Sequence, residues 1–135
     1  GKGDNVRDLL YVEDHADALL LVLKKGEIGR SYNIGGENES SNINLVKIIC
    51  EILDKRSPKS NGSFKDQISF VADRPGHDAR YAINPSRISE ELGWNPSVTL
   101  EEGLNITVQW YLDNKDWWQP LLDRDGVGNR LGLKI

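Results

Sequence analysis

The sequence is poor in the residues that staple or metallate small domains. It holds one cysteine, Cys50, and two histidines, His15 and His77, among 135 residues. A lone cysteine excludes an internal disulfide, and its place in an apolar run predicts an inert buried thiol in a reduced, cytoplasmic setting. So sparse a set of soft ligands predicts no metal site. Long hydrophobic runs are missing too. The longest, residues 18–23, falls far short of the roughly 20 residues that span a bilayer, and the polar opening has no signal-sequence character. Nor is there an excess of positive charge. The balance of 17 Lys and Arg against 21 Asp and Glu, net −4, argues against extended nucleic acid as a partner. Internal repeats and low-complexity tracts are absent.

What is there suits one ordinary domain in length. After a Gly/Asp/Asn turn, VRDLLYV reads as a short strand. In VEDHADALLLVLKKG the residues Ala16, Leu19, Leu20 and Leu23 recur at helical spacing, Asp14 stands near the start as a cap, and lysines precede Gly26. RSYNIGG predicts a brief second strand stopped by two glycines. NINLVKIICEILDK carries a helical stripe through Leu45, Ile48, Ile49, Ile52 and Leu53. A polar loop then leads to QISFVA, a third strand. NPSRISEELGWNP predicts a short helix with Asn84 as N-cap, Pro85 in the first position and Gly93 beyond the end. Thr99 and Glu102 form a capping box for a last helix bearing Leu100, Leu104, Val108 and Tyr111. The expected fold class is α/β, a small mixed sheet with packed helices. So little sheet buries one face at best, which predicts part of a larger architecture.

Four motifs, VRDLLYVEDHADAL, YNIGG, DRPGHDARYAI and ELGWNP, together resemble the dTDP-glucose 4,6-dehydratases, extended short-chain dehydrogenase/reductases that act on nucleotide sugars. The first motif is shared by many nucleotide-sugar enzymes. The third is more specific, and departs from the family pattern only at Ala79, where an arginine is usual. The resemblance covers residues 1–115, which it implies are the substrate-binding lobe, and leaves residues 116–135 as a C-terminal tail. It also implies an N-terminal Rossmann domain, with a glycine-rich NAD loop, a Tyr-x-x-x-Lys pair and an Asp-Glu pair, that is absent from these residues. YLDNK and GVGNRLG mimic the Tyr-Lys pair and the dinucleotide loop, but neither has the strand and helix context that the chemistry needs. Tyr111 is read instead as a packing residue, as are Trp94, Trp117 and Trp118.

The resemblance implies that NAD serves the complete enzyme and that none binds this chain, which carries no catalytic residue and is expected to be inactive alone. In the complete enzyme hydride leaves C4 of the sugar, water is lost across C5 and C6, and the hydride returns to C6. The implied substrate, dTDP-glucose or a related nucleotide sugar, carries a diphosphate. A guanidinium offers paired donors to phosphate oxygens, so Arg74 is the expected clamp. Pro75 and Gly76 sharpen its loop, Asp73 precedes it, and His77 can hydrogen-bond phosphate, ribose or base. The plainer alternative for Asp73 and Arg74 is an ion pair on a surface turn. Arg7 is a second diphosphate ligand by family likeness; otherwise it pairs with Asp8 or Glu13 on a strand edge. Asn42 either touches substrate or simply caps a helix. His15 is read as solvated or packed.

Two other functions stay open from the residues: a non-catalytic module binding nucleotides or a protein, and the same lobe of a UDP-sugar epimerase or decarboxylase. The helix at residues 12–25 is apolar nearly all round, and SYNIGG would leave a strand edge unpaired. Without the N-terminal domain these surfaces predict a homodimer.

Overall fold

The computed structural model describes residues 1–122. Its central strand is only three residues long: β1 (Val6–Asp8), flanked by β2 (Glu39–Ser41) and β3 (Arg80–Tyr81) in the order β2-β1-β3. β1 runs antiparallel to β2, with Val6 opposite Ser41, and parallel to β3, with Val6 opposite Arg80. The mixed sheet is as expected, but two of its strands lie elsewhere. Residues 31–36 and 68–72 form no strand.

The first of these differences has a cause in the Asp8 carboxylate. It accepts from the backbone N–H of Gly36 at 3.1 Å and of Asn38 at 2.9 Å. The segment around the two glycines is therefore bonded to a side chain instead of a ladder. A Cβ on Gly36 would lie 2.1 Å from the Leu9 carbonyl oxygen, and one on Gly35 would lie 2.3 Å from the Ile83 side chain. Close approach, rather than a strand stop, is what these glycines permit.

Five helices surround the sheet among the described residues: α1 (Val12–Lys25), α2 (Asn42–Arg56), α3 (Ser86–Leu92), α4 (Leu100–Asp113) and α5 (Lys115–Leu122). Their ends follow local chemistry closely. Thr99 and Glu102 make the reciprocal capping box that starts α4. Gly93 ends α3 at φ 72°, in the left-handed region glycine enters without strain. The Asn84 side chain accepts from the Ser86 N–H at 2.9 Å, so it caps α3 from one residue further out than expected. In α2 the cap is Ser41, whose hydroxyl accepts from Asn44 N–H at 3.3 Å; Asn42 is the first helical residue.

The buried face of α1 is not the stripe suggested by its leucines. Asp14 and Ala18 are buried, Leu21 and Val22 are partly so, and Leu19, Leu20 and Leu23 stay exposed. A helix apolar on every side offers several stripes of helical spacing, and only a neighbour decides among them. Here the neighbours are α3 and the turn after it: Ala18, Ile88 and Trp94 form the core, with Leu10, Tyr32, Ile34 and Leu92 packed against them. Cys50, on α2, is buried as expected. Tyr111 departs from its expected packing role, being half exposed and edge-on to Trp110 at 5.1 Å. Trp117 is exposed as well, edge-on to the other side of Trp110 at 5.2 Å.

Asp14 is no helix cap. It lies inside the first turn and reaches across to the entry of α4, accepting from the Ser97 hydroxyl at 2.5 Å and from Val98 N–H at 3.4 Å. Burial pushes its carboxyl up, but the bonds from Ser97 and Val98 outweigh this and hold it below the ordinary value. The stabilising contribution is therefore complete above the unfolded carboxyl range, near pH 4, and is lost as pH falls through the lower folded value. Asp14→Ala is expected to cost about 1.5 to 3 kcal/mol in urea unfolding at neutral pH, and the gap between variant and parent should narrow in acid.

Candidate functional site

The topology brings three segments to one end of the sheet. Because β2 runs against β1, the end of β2 and the start of α2 lie beside the start of β1. Because β3 runs with β1, the loop that precedes β3 arrives at that same end. Asn5, just ahead of β1, ties the two sides together. Its carbonyl accepts from Asn42 N–H at 3.0 Å, and its side-chain amide donates to the Asp78 carbonyl at 3.0 Å.

Arg7 occupies the middle of this arrangement and is held on several sides. Nη1 donates to the Val6 carbonyl at 2.7 Å, while Nη2 donates to the Asp78 carbonyl at 3.1 Å and lies 3.0 Å from His77 Nε2. The guanidinium carbon stands 4.6 Å from the centre of the Tyr81 ring, a cation-π contact made available by the register of Arg7 opposite Tyr81. The pairing with Asp8 or Glu13 considered from sequence is not formed: Asp8 serves the Gly36 and Asn38 amides instead. Tyr81 in turn hydrogen-bonds the Asp78 carboxylate, and this bond and the charge of Asp78 push its phenol up.

The loop at residues 73–77 is organised by its first residue. Asp73 Oδ1 accepts from Arg74 N–H at 2.8 Å and lies 2.8 Å from His77 Nδ1. The His77 bond, then the Arg74 N–H, hold its carboxyl below the ordinary value. Pro75 and Gly76 make the turn between them, with Gly76 at φ 68°. No heavy atom lies within 4 Å of a Cβ placed on Gly76, so the left-handed backbone, rather than crowding within the chain, is what calls for glycine there. The simple Asp73–Arg74 ion pair is not what forms. Arg74 is exposed, and no hydrogen bond or ion pair to its guanidinium exists among the described residues. Arg80 contrasts with it: Nε and Nη2 both donate to the Glu39 carboxylate across the sheet.

Of the sequence-level candidates, Arg7, Asp73 and His77 form one connected chain of contacts, Arg74, Pro75 and Gly76 belong to the same loop, and Asn42 sits beyond Asn5 at the α2 N-terminus. Asn5, Asp78 and Tyr81 were missed. Asn5 and Tyr81 matter through strand register, which local sequence pattern does not carry. A recess of about 420 Å³, lined in part by Asn5, Ala72, Asp73 and Ala79, adjoins this end. The larger cleft, about 680 Å³, lies elsewhere, between the start of α1 and α4, and its walls are mostly apolar. It has no cluster of donors for a diphosphate.

Residues 1–107 match the family model described as GDP-mannose 4,6 dehydratase. The chain belongs to that family. It is 52% identical over 136 residues to a dTDP-glucose 4,6-dehydratase of Escherichia coli, an alignment covering 98% of this chain and 38% of that protein. A dTDP-glucose 4,6-dehydratase of Bacillus anthracis, solved in complex with NAD, superimposes with a TM-score of 0.78 at 47% identity, over 90% of this chain and 36% of the other. A UDP-glucose 4-epimerase of Thermotoga maritima, solved with UDP-glucose, follows at 31% identity and a TM-score of 0.71, over 84% and 33%. The chain thus spans little more than a third of the length of the curated relatives it matches. The mixed sheet with packed helices is the fold that members of this family share with it.

Two substitutions separate the alternatives for Asn42. Its side chain makes no hydrogen bond among the described residues, whereas Ser41 caps α2. Ser41→Ala is expected to cost about 1 kcal/mol in thermal or urea unfolding, and Asn42→Ala to leave stability unchanged. A matching loss in Asn42→Ala would make Asn42 a structural residue after all.

Proposed function

We propose that residues 1–115 are the nucleotide-sugar-binding lobe of a dTDP-glucose 4,6-dehydratase, which in its complete form converts dTDP-glucose to dTDP-4-keto-6-deoxyglucose and water. The observation that supports this most is that the loop carrying the free Arg74 side chain reaches the same sheet end as the pinned guanidinium of Arg7, where α2 also begins. Two cations and a helix N-terminus suit the two negative charges of a diphosphate. In this reading Arg74 is the adaptable ligand, Arg7 the preset one, and Pro75 and Gly76 shape the turn that presents them. Asn42 takes a polar group of the nucleotide, His77 serves the site through Arg7, and Asp73 orders the loop. Binding energy from that remote portion of the substrate would orient the hexose for chemistry carried out by the rest of the enzyme. The higher identity to the dehydratases than to the epimerase favours the dehydratase over the UDP-sugar alternatives.

NAD is the cofactor of the complete enzyme in this reading, where it would accept and return hydride. Among the described residues no glycine-rich turn leads from a strand into a helix N-terminus, the arrangement that cradles a dinucleotide. GVGNRLG lies outside the described residues. No helix among the described residues is long and apolar enough to cross a membrane; in this reading the complete enzyme is cytoplasmic.

The clamp is tested by calorimetric titration of dTDP into the chain. Arg74→Ala is expected to lose a charge-assisted phosphate contact, about 1.5 to 3 kcal/mol, or roughly ten- to hundredfold in affinity. Arg80→Ala should change affinity far less, because Glu39 already occupies that guanidinium. Equal losses would point to general electrostatics and remove the clamp.

We also propose that the 135-residue chain self-associates through α1. Val12 and Leu23 are 69% and 82% exposed, and Leu19 and Leu20 are about half exposed, an uncovered apolar face of the kind usually buried in an interface. The strand edge expected at SYNIGG does not contribute, since Tyr32 and Ile34 pack against the core. Light scattering at micromolar concentration should give a mass above one chain, falling on dilution; Leu19→Lys should reduce it. A single-chain mass at all concentrations would exclude this dimer.

A further inference from the structure

His77 is the one ring in the site whose proton position the surrounding groups dictate. Its side chain is 20% exposed, the Asp73 side chain 46%. On one side Nε2 faces Arg7 Nη2 at 3.0 Å, and on the other Nδ1 faces Asp73 Oδ1 at 2.8 Å. A guanidinium has donors only, so a nitrogen that bonds to it must present a lone pair. An ionised carboxylate accepts only, so a nitrogen that bonds to it must carry a proton. Both contacts hold together in just one form of the ring: neutral, with hydrogen on Nδ1. The opposite tautomer would set N–H against N–H on the Arg7 side and lone pair against carboxylate on the other. The doubly protonated ring would keep Asp73 but confront Arg7 with a second cation.

We infer that Asp73 is a positioning residue, which selects the Nδ1-protonated tautomer of His77 and so leaves Nε2 to hold the Arg7 guanidinium in place. The inference rests on the proposed binding role of Arg7 but assigns Asp73 a different task from ligand contact. With Asp73 in place, three of the Arg7 hydrogens are committed: one on Nη1 to the Val6 carbonyl, and both on Nη2 to His77 and the Asp78 carbonyl. The second Nη1 hydrogen and Nε–H remain for an incoming anion, in an orientation set before the ligand arrives. Without Asp73 the ring is free to place its proton on Nε2, the bond to Nη2 is replaced by a clash of donors, and the guanidinium loses one of its holders. Asp73 Oδ1 also anchors the backbone of Arg74, so one carboxylate sets both the ring and the start of the turn.

The test is the ring tautomer itself, read from long-range proton-nitrogen NMR correlations of the chain in mildly alkaline buffer, where imidazoles are neutral. Only two histidines contribute signals, and a His15→Asn variant identifies the ring of His77. The parent should show a protonated Nδ1 and an unprotonated Nε2. Asp73→Ala should shift the ring toward the other tautomer, and Asp73→Asn, whose amide oxygen still accepts from Nδ1–H, should restore the parent pattern. Backbone amide spectra check that each variant remains folded. In parallel titrations of dTDP, Asp73→Ala should weaken binding on the order of tenfold, the scale of one lost charge-assisted hydrogen bond, with Asp73→Asn recovering most of it. A parent ring protonated on Nε2, or a tautomer that Asp73→Ala leaves unchanged, would overturn the inference. The expected tautomers in a chain that binds no dTDP would uphold the positioning role and remove the nucleotide reading instead.

Discussion

The three-residue strand β1 is the constraint on which the rest of the structure depends. Among the described residues it is the only strand with neighbours on both sides, and its two flanks run in opposite senses. That combination delivers the start of α2 and the loop before β3 to one end of β1. At the other end, Asp8 draws the glycine segment in by its amides. A strand so short contributes little ladder energy, so side chains complete its attachment. Asn5, Arg7 and Asp8 each bond to backbone groups 28 or more residues away in sequence.

Charge is placed with corresponding economy. Several arginines already have partners: Arg80 in Glu39, Arg30 in Glu91, and Arg7 in carbonyls and an imidazole. In an acidic chain this leaves local positive potential where partners are missing, and Arg74 on its Pro-Gly turn is such a place. A cation held in solution on a short loop keeps its rotamer freedom until an anion binds, whereas Arg7 has given that freedom up during folding. In the proposed site, one preset and one adaptable guanidinium would combine orientation with tolerance of small differences in ligand position.

The motif of residues 6–14 shows how one stretch of sequence divides its labour. Asp8 and Asp14 look alike in the sequence, both acidic residues in a nucleotide-sugar pattern. Folded, Asp8 holds the glycine segment and Asp14 holds the entrance of α4 through Ser97 and Val98. Arg7 between them faces the sheet end proposed to bind the nucleotide. The carboxylates thereby brace the scaffold around the residue proposed to bind, and none of the three pairs with another.

Local chemistry was legible wherever neighbours in sequence are also partners in space. The capping box at Thr99 and Glu102, the left-handed Gly93, the helical stripe of α2 and the turn at Pro75 and Gly76 all involve residues a few positions apart, so their spacing determined them. The four motifs likewise identified the family and the candidate ligands. Tertiary structure alone decided which face of α1 is buried, because leucines surround that helix and only the placement of Ile88 and Trp94 chooses among them. It alone decided that residues 39–41 and 80–81 are strands, since ladder bonds depend on a partner dozens of residues away and so short a pairing leaves no periodic signature. The same reason hid the link from Asp73 through His77 to Arg7: its last step crosses 70 residues of sequence and exists only once β3 has docked beside β1.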